Sequence, residues 1–236
     1  MAKPNEYLRV TGLHAFYGES HILHGVDFTV HRGEVVTLLG RNGAGRTTTL
    51  KAMLGLVDRR TGSVLINGRE SIHLPPHRIA HLCIGYCPEE RGIFASLSCE
   101  ENLLLPPKVA HGGLSLEELY ALFPNLRERR TSQGTRLSGG EQQMLAVARI
   151  LRTGAPLLLL DEMAEGLAPV IVQALGRTIT ALKEKGYTIV MVEQNFHFAA
   201  PLADYFYVME HGRIIEGFPA GELDTKMNLL HEYLGI

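Results

Sequence analysis

Glu34-Val35-Val36-Thr37-Leu38-Leu39-Gly40-Arg41-Asn42-Gly43-Ala44-Gly45-Arg46-Thr47-Thr48 is the stretch that decides the fold. Its first six residues are largely apolar and rich in β-branched and leucine side chains, so they read as a buried strand. A glycine-rich loop follows, and residues 48–54 carry a helical pattern. Strand, glycine loop and helix in that order make a phosphate cradle. Glycines let backbone N–H groups wrap an anion, and the helix dipole adds positive potential. The loop fits G-x-x-x-x-G-K-[ST] with one change, because Arg46 stands at the lysine position. Gly40, Asn42, Gly43, Ala44, Gly45 and Arg46 then surround the phosphates. Thr47 is placed to ligate Mg²⁺ and Thr48 to touch a phosphate oxygen. Arginine keeps the charge of lysine but spreads it over a longer, planar fork. The expectation is phosphate binding with weakened catalysis.

A second apolar run, Pro156-Leu157-Leu158-Leu159-Leu160, ends in Asp161-Glu162. It reads as a buried parallel strand with carboxylates at its C-terminal end, the edge where open α/β sheets bind ligands. An ionised carboxylate only accepts hydrogen bonds, so it can orient a water for attack. Two adjacent acids on their own also suit an ordinary strand-end turn.

Between these strands lies Leu137-Ser138-Gly139-Gly140-Glu141-Gln142-Gln143. Ser138 reads as a helix N-cap and Ser138…Glu141 as a capping box. Two glycines in a first turn cost roughly 1 kcal/mol each relative to alanine. That cost is explained if a phosphate must approach the backbone closely.

This run resembles the signature of the ABC ATPases, the family whose nucleotide-binding domains drive membrane transporters. The resemblance covers essentially the whole chain. It implies that Asp161 holds Mg²⁺, that Glu162 is the general base, and that Ser138, Gly139 and Gly140 contact ATP. Tyr17, in Phe16-Tyr17-Gly18, matches the aromatic that stacks on adenine, with core filling as the alternative. Glu89 stands at the Q-loop glutamine position. Met163-Ala164-Glu165-Gly166-Leu167-Ala168-Pro169 falls at the D-loop, with Met163 where proline is expected. Gln194 stands at the switch-histidine position and is counted with Glu162 and Arg46 as catalytic. His197, three residues later, reads as decoration of the following helix.

A proline-glutamate Q-loop, Gly-Leu-Ala-Pro and Glu-Gln-Asn together look like the ATPases of branched-chain amino acid importers. The partners so implied are permease membrane subunits, a second ABC ATPase subunit, identical or different, and indirectly a periplasmic binding protein. Two ATPase domains pair head to tail, each ATP lying between one chain's P-loop and the other's signature. Two other classes stay open: a soluble ABC ATPase without a transport role, and a nucleotide-binding partner with weak hydrolysis because of Arg46.

Composition fits a globular ATPase of this kind. The chain has 236 residues, 45% hydrophobic and 20% charged, enough to bury a sizeable core. A formal charge of −2 gives no electrostatic case for nucleic acid. The basic run Arg127-Glu128-Arg129-Arg130 is short and mixed, and reads as a solvated helix end. No segment reaches the ~18–20 apolar residues of a membrane span. Met1–Glu6 has no apolar core of a secretory leader. Three cysteines without framework spacing suit a reducing compartment. The expected location is therefore cytoplasmic, peripheral on the inner face of the membrane. His73, His77, His81, Cys83 and Cys87 crowd together, but Pro75-Pro76 interrupts any helix through His73. Residues 81–87 alternate like a strand, so both cysteines read as small core residues rather than zinc ligands.

The expected fold is α/β, a P-loop NTPase with a RecA-like core, an antiparallel β layer and a helical ABC lobe. Residues 1–236 form a single ABC ATPase domain. Residues 8–12, 22–30 and 62–67 read as the antiparallel layer. Residues 34–39, 83–86, 157–160, 188–192 and 205–209 read as the parallel core. Residues 1–89 and 152–236 make the core with its β layer, and residues 90–151 the helical lobe. His211-Gly212 reads as a hairpin turn, and residues 224–234 as a helix on the outside.

Overall fold

The computed structural model describes residues 5–235. Residues 1–4, read above as lacking a leader, lie outside the described residues, as does residue 236. In chain order the elements are β1 (Glu6–Tyr17), β2 (Ser20–His31), β3 (Val35–Leu39), α1 (Arg46–Met53), β4 (Arg59–Ile66), β5 (Arg69–Glu70), α2 (Pro76–Ala80) and β6 (Ile84–Cys87). Then come α3 (Cys99–Leu104), α4 (Leu116–Leu122), α5 (Pro124–Glu128) and α6 (Gly139–Arg152). The remainder is β7 (Leu157–Asp161), α7 (Pro169–Glu184), β8 (Thr188–Glu193), α8 (Phe196–Ala199), β9 (Tyr205–Glu210), β10 (Arg213–Pro219) and α9 (Leu223–Leu234).

Two sheets carry the architecture. Strands β2-β1-β4-β5 form an antiparallel sheet, and β10-β9-β3-β8-β7-β6 a six-stranded one. β3 lies inside the second sheet, parallel to β8 on one side and β9 on the other. β7 runs parallel between β8 and β6. All five residues of β3, of β7 and all six of β8 are buried. A strand covered on both faces needs apolar side chains on both, which is why these read as continuous runs. The C-terminal ends of β3, β7 and β8 therefore meet, bringing Gly40, Asp161 and Glu193 to one edge.

The expected strands all form, most with longer bounds, while β3 starts one residue later at Val35 and β6 is shifted by one residue. β1 continues past Gly12 through register shifts to Tyr17. β6 begins at Ile84, because Cys83 turns the chain with φ +64°. Cys87 is enclosed, and burial pushes its thiol up to about 12. The two-residue β5 was not anticipated.

The segment between β6 and β7 is helical, and its helix starts are locally encoded. Ser98, Ser115 and Ser138 each cap a helix reciprocally with a glutamate three residues on. The basic run at residues 127–130 is the end of α5, where Arg129 pairs with Glu141 at 3.3 Å.

One turn binds the two sheets to the loop between β3 and α1. Gly212 donates its N–H to Ala44 O at 2.9 Å, and its carbonyl accepts from His24 N–H at 2.9 Å. Its φ is +72°, and a Cβ there would lie 1.9 Å from Ile22 O. Gly212→Ala is therefore expected to cost on the order of 2 kcal/mol or more in thermal unfolding. An unchanged melting temperature would refute this account of the turn.

Candidate active site

The phosphate loop begins where β3 ends. Gly45 is the N-cap of α1, in a left-handed conformation with φ +102°, and it supplies no side-chain cap. The first-turn N–H groups are thus left for an incoming acceptor. At the other end Arg60 does the opposite work. Its guanidinium donates to Ala52 O, to Met53 O (3.1 Å), to Ser71 O (3.0 Å) and to Leu74 O (2.8 Å). It thereby satisfies carbonyls at the C-terminus of α1 and complements that end of the dipole.

A cavity of about 460 Å³ opens over the loop, lined by Asn42, Gly43, Gly45, Arg46, Thr47, Thr48, Glu89, Glu162, Glu165 and Ile22. An adjoining cavity of about 580 Å³ is lined by Asn42, Glu162, Glu165, Glu193, Gln194 and Asn195, among others. Glu162 thus faces both. Gly40 and Ala44 line neither, being packed behind the loop. A Cβ on Gly40 would lie 2.7 Å from Met209 O, so its smallness has a packing cause. A larger cavity of about 630 Å³ lies over α7 and α8. It contains His197, Phe198 and Val172 but no loop residue, so size does not mark the phosphate cleft.

Arg46 is the centre of the cleft's electrostatics. Its Nη2 donates to Glu162 Oε1 at 2.6 Å and to Asn42 Oδ1 at 3.2 Å. The two charged side chains are 4% and 9% exposed, so solvent screens them little. Arg46 Nη1 is buried without a hydrogen-bond partner among the described residues. A buried unsatisfied donor is costly, and this one fits an anionic oxygen entering the loop. Burial pushes both groups toward their neutral forms, and their mutual attraction opposes it. For Glu162 the outcome is a carboxyl held above its ordinary range, first by burial, with Glu165 adding to the rise.

Thr47 and Asp161 form the second constellation. Thr47 Oγ1 donates to Asp161 Oδ1 at 2.8 Å, and Tyr86 Oη donates to Asp161 Oδ2 at 3.0 Å. Asp161 is fully buried, and burial raises its carboxyl. Two neighbouring oxygens on an octahedral Mg²⁺, each roughly 2.0–2.1 Å from the ion, lie about 2.9 Å apart. The Thr47 and Asp161 oxygens are hard donors at that spacing, so the pair fits Mg²⁺.

The remaining predicted residues lie apart from the loop. Tyr17 ends β1 at 38% exposure. Phe16 beside it is stacked on His21 at 4.2 Å, and the Arg59 guanidinium sits 3.9 Å from its ring centroid. Phe16 is thus engaged on its faces, and Tyr17 is the accessible ring. Ser138 caps α6 with its N–H on Glu141 Oε2 at 2.7 Å, and is exposed. Neither Ser138, Gly139 nor Gly140 lines the cleft of its own chain. Gly140 is buried, and a Cβ there would lie 2.8 Å from Ile171. Its smallness thus has a packing reason on α7 beside the phosphate approach that the sequence reading gave it.

Sequence reasoning missed Glu193, Tyr86 and Glu165 as contributors to the cleft. For Glu193 a signal existed: it ends a buried strand as Asp161 does. Burial holds its carboxyl up at about 8, with the charge of Glu162 second.

The ABC transporter family model matches residues 23–165. The chain is 40% identical to the high-affinity branched-chain amino acid transport ATP-binding protein BraG of Pseudomonas aeruginosa, covering 93% of this chain and 96% of that protein. It is 37% identical to the probable branched-chain amino acid transport ATP-binding protein LivF of Archaeoglobus fulgidus, covering 92% and 93%. It is also 32% identical to the lipopolysaccharide export system ATP-binding protein LptB of Escherichia coli K12, covering 93% of each. A solved ATP binding subunit of an ABC transporter superposes with a TM-score of 0.80 at 30% identity, covering 94% of each chain. The fold and cleft are those of an ATP-binding cassette of the P-loop NTPase class. The chain belongs to the ABC transporter family and is an ATPase of that type. No helix among the described residues is long and apolar enough to cross a membrane.

Proposed function

We propose that this chain is the ATP-hydrolysing subunit of an importer for branched-chain amino acids, working as a dimer beneath permease subunits. The observation that carries the proposal is the cleft lined by Arg46, Thr47 and Glu162, with the buried Asp161 hydrogen-bonded to Thr47 behind it. The likeness to BraG and LivF supports the substrate class.

In this reading the N–H groups of residues 43–48 and Arg46 bind the phosphates of ATP, and Tyr17 stacks on adenine. Thr47 and Asp161 hold Mg²⁺, which supplies positive charge to the phosphate oxygens. Glu162 orients the attacking water and takes its proton. Gln194 and Glu89 address the γ-phosphate side from the two cavities that they line. Ser138, Gly139 and Gly140 lie outside the chain's own cleft, which suits contact with a partner's ATP. Residues 90–151 form the lobe that meets the permease, and the exposed Phe94 belongs to that surface. A periplasmic binding protein delivers the solute on the far side, and the cassette lies on the cytoplasmic face.

The test is reconstitution with the permease subunits in proteoliposomes. The expected result is ATP-dependent uptake of leucine or valine, with crosslinks from cysteines at Ile93 and Phe94 to a permease loop. Movement of a lipid substrate instead would favour an export role like that named for LptB. Crosslinks only to ribosomes or DNA would favour a soluble ABC ATPase.

A further inference from the structure

Glu193 ends β8 with a side chain that is 2% exposed. Its Oε1 accepts two successive backbone N–H groups, from Met163 at 2.9 Å and Ala164 at 3.3 Å. Those residues directly follow Glu162, whose φ is +50°. A left-handed residue costs a non-glycine side chain free energy and persists only where its surroundings impose it. Here the imposing contacts are countable. Glu162 N–H donates to Val192 O at 2.9 Å, and the next two N–H groups converge on one carboxyl oxygen. Successive N–H groups around such a turn form a concavity for an anionic or strongly accepting atom. In this chain the concavity is filled from within by Glu193.

The consequence reaches Glu162 itself. Turning the chain at φ +50° aims its side chain back to the loop, where Oε1 meets Arg46. Without the clamp, Glu162 has an extended backbone open to it, and the carboxylate moves with it. The clamp also has an outer handle. Met163 is 1% exposed, and its Sδ accepts from Gln143 Nε2 of α6 at 3.0 Å. The residue at 163 therefore links the signature helix, the turn after β7 and the end of β8. Because it is methionine rather than proline, it has an N–H to give Glu193.

From this geometry we infer that Glu193 is a positioning residue for catalysis: its carboxyl holds the turn that aims Glu162 at the phosphate loop. The inference rests on reading Glu162 as the base. A misplacement of about 1 Å at a reacting group costs up to 10²-fold in rate, so the expected effect falls on turnover rather than on binding. Burial raises the carboxyl toward its neutral form, and an amide reproduces its accepting oxygen.

Two variants of the full chain, assembled with its permease partners where turnover requires them, test this. Glu193→Ala is expected to lower kcat at least tenfold with KM for ATP within twofold. Amide exchange at Met163 and Ala164 should accelerate at least tenfold. Glu193→Gln, isosteric and able to fold where Ala fails, should restore exchange protection and most of kcat. Unchanged exchange in Glu193→Ala overturns the clamp. A Gln variant as damaged as the Ala variant overturns it too, because charge would then matter rather than the accepting oxygen. Loss of kcat accompanied by an equal rise in KM marks general damage and overturns the positioning role. If Glu162→Gln keeps wild-type turnover, the base reading fails, while amide exchange still decides the clamp.

Discussion

Glu162→Gln is expected to lower ATP turnover at least about a hundredfold, within the 10²–10⁴ that general-base catalysis contributes, and to accumulate an ATP-bound dimer. The amide keeps an oxygen for Arg46 Nη2, so the cleft retains its shape. It loses the negative charge that accompanies a guanidinium only 4% exposed. Breaking a buried pair by removing one charge costs roughly 3–5 kcal/mol when nothing replaces it. The phosphates of ATP replace it. The variant should therefore melt lower than the parent without nucleotide and gain more from ATP than the parent does. Gel filtration with ATP and Mg²⁺ reads the dimer, and thermal melting reads the linkage. Wild-type turnover in the variant would exclude Glu162 as the base.

Arg46→Lys is expected to raise turnover of the isolated chain about tenfold. Arg46 holds Glu162 Oε1 at 2.6 Å while its second terminal nitrogen has no partner among the described residues. A carboxylate held by a guanidinium is not free to turn toward a water. Lysine keeps the charge on a compact ammonium with a flexible stem, which can meet a phosphate without the Nη2 contact that holds the base. The single-turnover rate measured with parent and variant separates chemistry from product release. An unchanged rate would mean that Arg46 already performs the lysine's role. A slow own site beside an intact Ser138-Gly139-Gly140 would give a heterodimer one strong and one weak ATP site.

The parts of the molecule legible in the sequence are those encoded locally. β3, β7 and β8 are apolar runs because each is buried on both faces. The Ser138…Glu141 box marks a helix start within four residues, and the same signal at Ser98 and Ser115 went unread. The phosphate loop is continuous in sequence, so glycine spacing exposes it. The length of β1 was not legible, because its register shifts around Gly12 break the alternation that marks a strand. The Arg46–Glu162 pair joins positions 116 residues apart. It exists only because the strand order puts β3, β8 and β7 side by side. The Glu193 contact to Met163 and Ala164 is hidden for the same reason. The packing of Gly140 is hidden in the same way, since Ile171, thirty-one positions on, fills the space that a side chain would need.

The setting of β3 has a consequence for how the protein is made. Both of its neighbours, β8 and β9, come roughly 150–170 residues later in the chain, an interval that a ribosome covers in on the order of ten seconds or more at about 5–20 residues per second. Until then the nascent Val35–Leu39 run has no parallel partner, and Gly212 has not arrived to hold Ala44. The loop that would grip ATP is translated well before the strands and the glycine that complete it. A nascent chain stalled before residue 188 thus carries Val35–Leu39 without the strands that flank it and a phosphate loop without Gly212 to hold it.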